Sequence, residues 1–294
     1  MVADPVPKRV ALVVHPTRDV DRALTTLTRW SAEHGVDVVQ LAAHGGPHRQ
    51  LAAPGTLEDG DLVVALGGDG TVLAALRAAA ARNAPVLGVA CGSLGALSAV
   101  AAEQLADALD RVWAGEWNPR SLPALAIGPA GAPEDWVAND FVVIRRGAGQ
   151  LVADVAVDDE LYVRVAGDGL IVATALGSSA YSMAAGGPVL AAGTAAFLCT
   201  PLAMHGGSAP PLVVPADAVV TLEVHPGYAG FDIEIDGTER AGEGHRFRIA
   251  LHPDKLTLVT FAASGRGLAT LRKRRLITDS PRVLARDDRA ERQP

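Results

Sequence analysis

The sequence predicts an α/β N-terminal domain, doubly wound around a mostly parallel sheet, followed by a C-terminal all-β, sandwich-like domain. Three observations carry this expectation. Apolar runs at 9–15, 62–66 and 86–90, bounded by glycine or proline, read as strands covered on both faces. Between such runs, apolar residues recur at three- and four-residue spacing, the period of a helix. Beyond Pro123 the helical period gives way to short strand-like runs separated by turn residues.

In chain order, Arg9 to His15 is the first strand, closed by Pro16. Val20, Ala23, Leu24, Leu27 and Trp30 mark a helix to His34, with Gly35 as its C-terminal cap and Val36 to Val39 as the next strand. His44 and His48 are four apart, but two glycines and a proline between them favour a solvated loop over a helical metal pair. Leu62 to Leu66 then runs into Gly67-Gly68-Asp69-Gly70-Thr71 and a helix over Val72 to Arg82, ended by Asn83 and Pro85. Val86 to Ala90 is a strand with a tight turn, Cys91 to Gly95, at its carboxyl end. An amphipathic helix over Glu103 to Trp113 follows, through Leu105, Ala108, Leu109 and Val112.

The β-rich part holds expected strands at 136–145, 151–157, 161–165, 170–174, 219–224, 231–235, 246–251 and 256–261. Turns fall at Asp158-Asp159 and Asp236-Gly237. A helical insertion, Ser178 to Ala185, ends at Gly186-Gly187-Pro188. The expected division is 1–122, 123–264 and a C-terminal segment, 265–294. That segment carries the basic run Arg272 to Arg275, taken as a solvated helix end, with disorder expected from Ser280.

Composition narrows the function. The 294 residues are 49% hydrophobic and 20% charged, a globular profile. A formal net charge of −7, with only Lys8, Lys255 and Lys273 as lysines, argues against a nucleic-acid partner. An anionic ligand must then be held locally, by backbone amides, a metal ion and a few arginines. No apolar stretch reaches a membrane span, and Met1 to Pro7 lacks a signal-peptide core, so no membrane partner and a cytoplasmic location are expected. Cys91 and Cys199 are widely separated, which suits small buried residues rather than a disulfide or zinc framework.

The glycine turn at 67–71 carries the chemistry. Glycines let a ligand approach the backbone, and the helix that follows offers unpaired N–H groups and a positive dipole end, which together suit phosphate. Asp69, an anion beside an anion site, implies a metal ion or proton transfer. The Walker A pattern is absent, the Rossmann fingerprint fails after Gly70, and Ser178, Ser179 and Ser208 lie outside GxSxG. Gly92 to Gly95 is a second glycine turn on the same sheet edge, where ligands of open α/β sheets bind. Gly167-Asp168-Gly169, followed by Leu170 to Ser182, is a strand running into a helix start with two serines.

Together these stretches resemble the NAD kinase family, whose pattern has GGDGT, then GxLGFL, an Asn-Glu pair, and DGLIVSTPTGSTAYS with GGP after it. The matches here are Gly67–Thr71, Gly92–Leu97, Asn139-Asp140, and Asp168–Ser182 with Gly186–Pro188. The resemblance implies transfer of the ATP γ-phosphate (or phosphate from polyphosphate) to the 2′-hydroxyl of the adenosine ribose of NAD, with Mg²⁺ or another divalent cation, in a homodimer or homotetramer. By the same resemblance, Asp69 would accept the ribose proton or hold Mg²⁺ through water. Gly68, Gly70 and Thr71 would face the phosphates. Asn139, Asp140 and Asp168 would contact the nucleoside parts of NAD, Ser179, Ala180, Tyr181 and Ser182 would line its adenine and ribose pocket, and Thr174 would be a further binding residue.

Four departures fall on the acceptor side. Ala96 replaces the phenylalanine of GxLGFL, Ala90 the asparagine before that turn, and Asp140 the glutamate of Asn-Glu. Residues 204–211 replace the family's PHSLSFRP. Alternatives therefore stay open at this level: a family kinase acting on NADH, a nucleoside or another hydroxylated metabolite, or a catalytically weak nucleotide-binding paralogue.

Overall fold

The structure, a computed structural model, describes residues 6–42, 49–128, 135–225, 227–261, 271–272 and 275–283. The loop with His44 and His48, Lys273 and Arg274 of the basic run, and the chain beyond 283 lie outside the described residues.

The first half builds β1 (Arg9–Val14), α1 (Asp21–His34), β2 (Asp37–Gln40), β3 (Ala53–Pro54) and β4 (Asp61–Gly67). Then come α2 (Asp69–Ala80), β5 (Pro85–Ala90), β6 (Val100–Ala101) and α3 (Leu105–Trp113). Strands β1 to β6 pair in parallel in the order β3-β2-β1-β4-β5-β6. Their side chains alternate between two cores. Val10, Leu12, Leu62, Val64 and Leu66 meet α1 and α3 on one face. Ala11, Val13, Val63 and Ala65 meet Val72, Ala75, Leu76 and Ala79 of α2 on the other. The doubly wound expectation is met.

The second half adds β7 (Asn118–Gly128), β8 (Asp135–Val137), β9 (Asp140–Arg145), β10 (Leu151–Val157), β11 (Glu160–Gly167) and β12 (Gly169–Ala173). After α4 (Tyr181–Ala184) come β13 (Ala196–Leu202), β14 (Leu212–Pro215), β15 (Val219–His225), β16 (Phe231–Ile235), β17 (Thr238–Ala241) and β18 (Arg246–Thr260). A six-stranded antiparallel sheet runs β14-β13-β12-β9-β16-β17. It packs on the antiparallel part of the large sheet, β11-β10-β15-β18, through a shared core that includes Phe141, Leu170, Phe197, Leu222, Phe247 and Ile249. That is the expected sandwich-like arrangement. Strand β18 also pairs in parallel with β5, so the large sheet is continuous across both halves.

Several elements differ from expectation. The run 136–145 is two strands, because Asp236 draws the N–H groups of Ala138, Asn139 and Asp140 out of any ladder. The two runs at 246–251 and 256–261 are one strand with a register shift between His252 and Leu256. The helix expected at Ser178–Ala185 shrinks to a 3-10 turn, Gly177–Ser179, and the single turn α4. Helix α2 starts at Asp69 rather than Val72.

Candidate active site

The carboxyl ends of β1, β4 and β5 lie side by side: Val14 pairs with Leu66, and Gly67 with Ala90. The three loops leaving those ends therefore meet on one sheet edge. From β4, Gly68 is the N-cap of α2 with extended φ, and Asp69 opens the helix. The Thr71 and Val72 N–H groups donate to the Gly68 carbonyl at 2.9 and 3.1 Å, so the first turn of α2 opens on that edge. Thr71 is buried, and a methyl added at Gly67 would stand 2.2 Å from its Oγ1. That hydroxyl has no hydrogen-bond partner among the described residues.

Asp69 is held by the second glycine turn. Its Oδ2 accepts from the Ala96 N–H at 3.1 Å, and its Oδ1 from the Leu97 N–H at 3.0 Å. Gly95 is obligatory here, since a Cβ would sit 2.0 Å from Oδ1. The segment 92–97 is thus a cradle for one carboxylate.

From β1 comes a residue that was not singled out by motif, Arg18. A methyl at Gly68 would stand 3.2 Å from its Nη1, and one at Gly92 3.3 Å. The loop is shaped by His15, whose Nδ1 accepts from the N–H groups of Thr17 (3.2 Å) and Arg18 (2.9 Å). Burial, and then the charge of Arg18, lower the His15 pKa, which favours the neutral ring these bonds require. The available signal was positional: a polar loop leaving a parallel strand at the same edge as the glycine turn.

Asn139 and Asp140 sit at the break between β8 and β9. Asp236, left-handed at φ 48° in the β16–β17 turn, accepts from the N–H groups of Asn139 (2.6 Å), Ala138 (3.1 Å) and Asp140 (3.3 Å). Arg77 of α2 donates to the Ile235 carbonyl at 2.7 Å, with its Nε 3.8 Å from Asp236 Oδ2. The helix that carries Asp69 is thereby tied to the loop that carries Asn139. Burial pushes the Asp140 carboxyl up to about 7, aided by the charges of Asp236 and Glu234, while the Tyr181 N–H opposes the shift. Burial also raises Asp236, while the Asn139, Ala138 and Asp140 N–H groups and Arg77 oppose that shift. Asn139 Oδ1 is shielded from solvent without a partner among the described residues.

The remaining expected residues divide. Tyr181 is 38% exposed at the rim, and Ser179 and Ala180 are half-buried. Thr174 is fully buried, donating to the Ala138 carbonyl at 2.6 Å and accepting from the Gly177 N–H at 3.2 Å, so its hydroxyl fixes the loop. Ser182 is equally buried, its hydroxyl 2.9 Å from that of Thr200. Asp168 takes the Arg145 Nε at 2.6 Å and lies 3.7 Å from His205 Nε2. Cys199 is buried, its thiol pushed up to about 12. Cys91 is half-buried and likewise raised by burial. Both are free thiols.

Comparison with known proteins agrees with this geometry. Residues 49–117 match the ATP-NAD kinase N-terminal domain, and residues 138–253 the ATP-NAD kinase C-terminal domain. The NAD kinase of Chloroflexus aurantiacus is 32% identical over 265 residues, covering 87% of this chain and 94% of that protein. That of Koribacter versatilis is 34% identical over 244 residues, covering 78% and 84%. Among solved structures, yeast NADH kinase complexed with NADH superposes with a TM-score of 0.73 at 19% identity, covering 94% of this chain and 89% of that one. The Archaeoglobus fulgidus NAD kinase in complex with ATP gives 0.67 at 24% identity, covering 92% and 100%. Fold, paired domain matches and near full-length relatives converge: the chain belongs to the NAD kinase family, phosphotransferases that act on a hydroxyl acceptor.

Proposed function

We propose that this chain transfers the γ-phosphate of ATP to the 2′-hydroxyl of the adenosine ribose of NAD, giving NADP. The observation that carries the reading is the fixed carboxylate of Asp69, held by the Ala96 and Leu97 N–H groups at the first turn of α2. Phosphoryl transfer needs little covalent help, so catalysis is mostly placement and charge neutralisation. The α2 amides and Gly68, Gly70 and Thr71 receive the phosphates. Asp69 accepts the proton of the 2′-hydroxyl as that oxygen attacks the γ-phosphorus and the bond to the β-phosphate oxygen breaks, releasing ADP.

No group of three His, Cys, Asp or Glu able to hold a metal occurs among the described residues. The Asp69 carboxylate at the glycine turn fits an Mg²⁺ carried mainly by phosphate oxygens and water, where the ion would neutralise phosphate charge. On the acceptor side, the free Oδ1 of Asn139, the buried Asp140 and the rim residue Tyr181 support a dinucleotide, with Asp168, Ser179 and Ala180 beside them. Thr174 and Ser182 act on that pocket by holding its wall. The family resemblance supports a homodimer or homotetramer in the cytoplasm. No helix among the described residues is long and apolar enough to cross a membrane.

Purified protein given ATP, Mg²⁺ and NAD is expected to form NADP, and no NADP with ATP or polyphosphate would overturn the reading. Asp69→Asn is expected to lower kcat by about 10²-fold or more while NAD binding persists.

A further inference from the structure

We infer that Arg18 is the side-chain cation that holds the phosphate chain of the donor, a task that motif matching gives to no residue of this chain. The inference rests on the donor binding at the glycine turn. Anion sites built on a helix N-terminus are commonly completed by a lysine or arginine, and this turn contains neither. Lys8 packs beside Gly60, and Lys255 sits over the Trp136 ring and binds Asn83. Arg77, although on α2, is committed to Ile235 and Asp236 at the other end of the helix. Arg18 alone, among the described cations, lies against both Gly68 and Gly92.

Its side chain is exposed and uncommitted. One long bond, Nη1 to the Cys91 carbonyl at 3.4 Å, is its hydrogen bond in the fold, and no carboxylate pairs with it among the described residues. A guanidinium has five N–H donors, so most remain for a ligand. The backbone beneath it, by contrast, is fixed. His15 Nδ1 caps the Thr17 and Arg18 N–H groups, the His15 N–H donates to the Leu66 carbonyl at 3.0 Å, and Arg49 Nη1 donates to the Arg18 carbonyl at 2.8 Å. A free cation on an anchored loop, beside two glycines that leave room above the backbone, suits a polyanion. The unpartnered, buried Thr71 Oγ1 under the same turn is a second polar group awaiting a partner there. Arg18 lies at the β1–β4–β5 edge, whereas Asn139, Asp140 and Asp236 belong to the β9–β16 side, which assigns it to donor rather than acceptor.

The test uses the full chain and separates this inference from the reading of the acceptor. Titration calorimetry of wild type, Arg18→Ala and Arg18→Lys with ATP–Mg²⁺, with tripolyphosphate, and separately with NAD gives the affinities. The expected result is a loss of at least about ten-fold for ATP and tripolyphosphate in Arg18→Ala, partial recovery in Arg18→Lys, and NAD affinity within about two-fold. In turnover, KM for ATP should rise while kcat changes by less than about three-fold. Unchanged ATP affinity in Arg18→Ala, parallel losses for ATP and NAD, or a wild type that binds neither ATP nor tripolyphosphate would overturn the inference. A wild type that binds ATP through Arg18 but makes no NADP would support it while refuting the proposed acceptor.

Discussion

Asp140 and Asp236 show how two carboxyls in one buried neighbourhood divide their roles. Asp236 is surrounded by N–H donors and keeps the loop at 138–140 in shape, while Asp140 has only the Tyr181 N–H to set against burial and a neighbouring charge. A carboxyl whose folded pKa is raised from 3.8 to about 7 favours folding below the unfolded value, and that contribution is lost as pH rises through the folded value. Asp140→Asn removes the titration. The ligand-free variant should match wild type near pH 4 and exceed it above pH 7 by up to about 4 kcal/mol, measured by urea unfolding across pH. A pH-independent difference would refute it. Asp69 depends on a different device. Gly95→Ala places a methyl against Oδ1 and displaces the carboxylate from its two N–H donors, so kcat should fall by about ten-fold or more and stability by about 1–3 kcal/mol. An active Gly95→Ala protein would mean that the cradle has no part in the reaction.

At the scale of elements, the glycine turn, its strand and its helix were legible because each has a local cause: a covered apolar run, three glycines, and an alanine-rich stretch with one helical face toward the sheet. Strand β7 was not, since Pro119 and Pro123 interrupt it and its register is imposed by β18. The break at Ala138–Asn139 was equally hidden. Nothing in Trp136 to Arg145 stops a strand, and the cause lies almost a hundred residues on, at Asp236. The helix expected after Gly177 is shorter because Ser178, one of the two serines that read as its start, turns its hydroxyl inward to the Ala175 carbonyl, and Ser182 turns to Thr200. Arg77 is the long-range link that makes these pieces one site, joining α2 to the β16–β17 turn. Arg77→Met keeps the stem but leaves Asp236 buried without its guanidinium. Stability should fall by about 1–3 kcal/mol and KM for NAD rise several-fold more than KM for ATP. Equal shifts in the two KM values would show that Arg77 does not govern the acceptor loop.

For the whole molecule the decisive element is β18. Its first half contributes Phe247, Ile249 and Leu251 to the core between the two sheets, and its second half contributes Leu256, Leu258 and Val259 to the cores around the parallel sheet. Strand β7 runs beside it throughout, β15 flanks the first half and β5 the second. The β7–β18 ladder resumes beyond the register shift at His252–Leu256, so the two ends share one pair of strands and loss of packing at one end frees main-chain groups beside the other. The expected consequence is a single cooperative transition rather than two. Trp30 and Trp113, ring centroids 4.8 Å apart, report on the α1–α3 end, far along the chain from Phe247. In a Trp136→Phe background, Phe247→Ala removes a ring that packs 5.3 Å from Phe141 in the other core. It should destabilise by about 3–5 kcal/mol, and the midpoint read by tryptophan fluorescence should fall together with that read by far-ultraviolet dichroism. An unmoved fluorescence midpoint beside a lowered dichroism midpoint would mean that the parallel and antiparallel halves melt independently. The continuous sheet would then join them in space without coupling their stability.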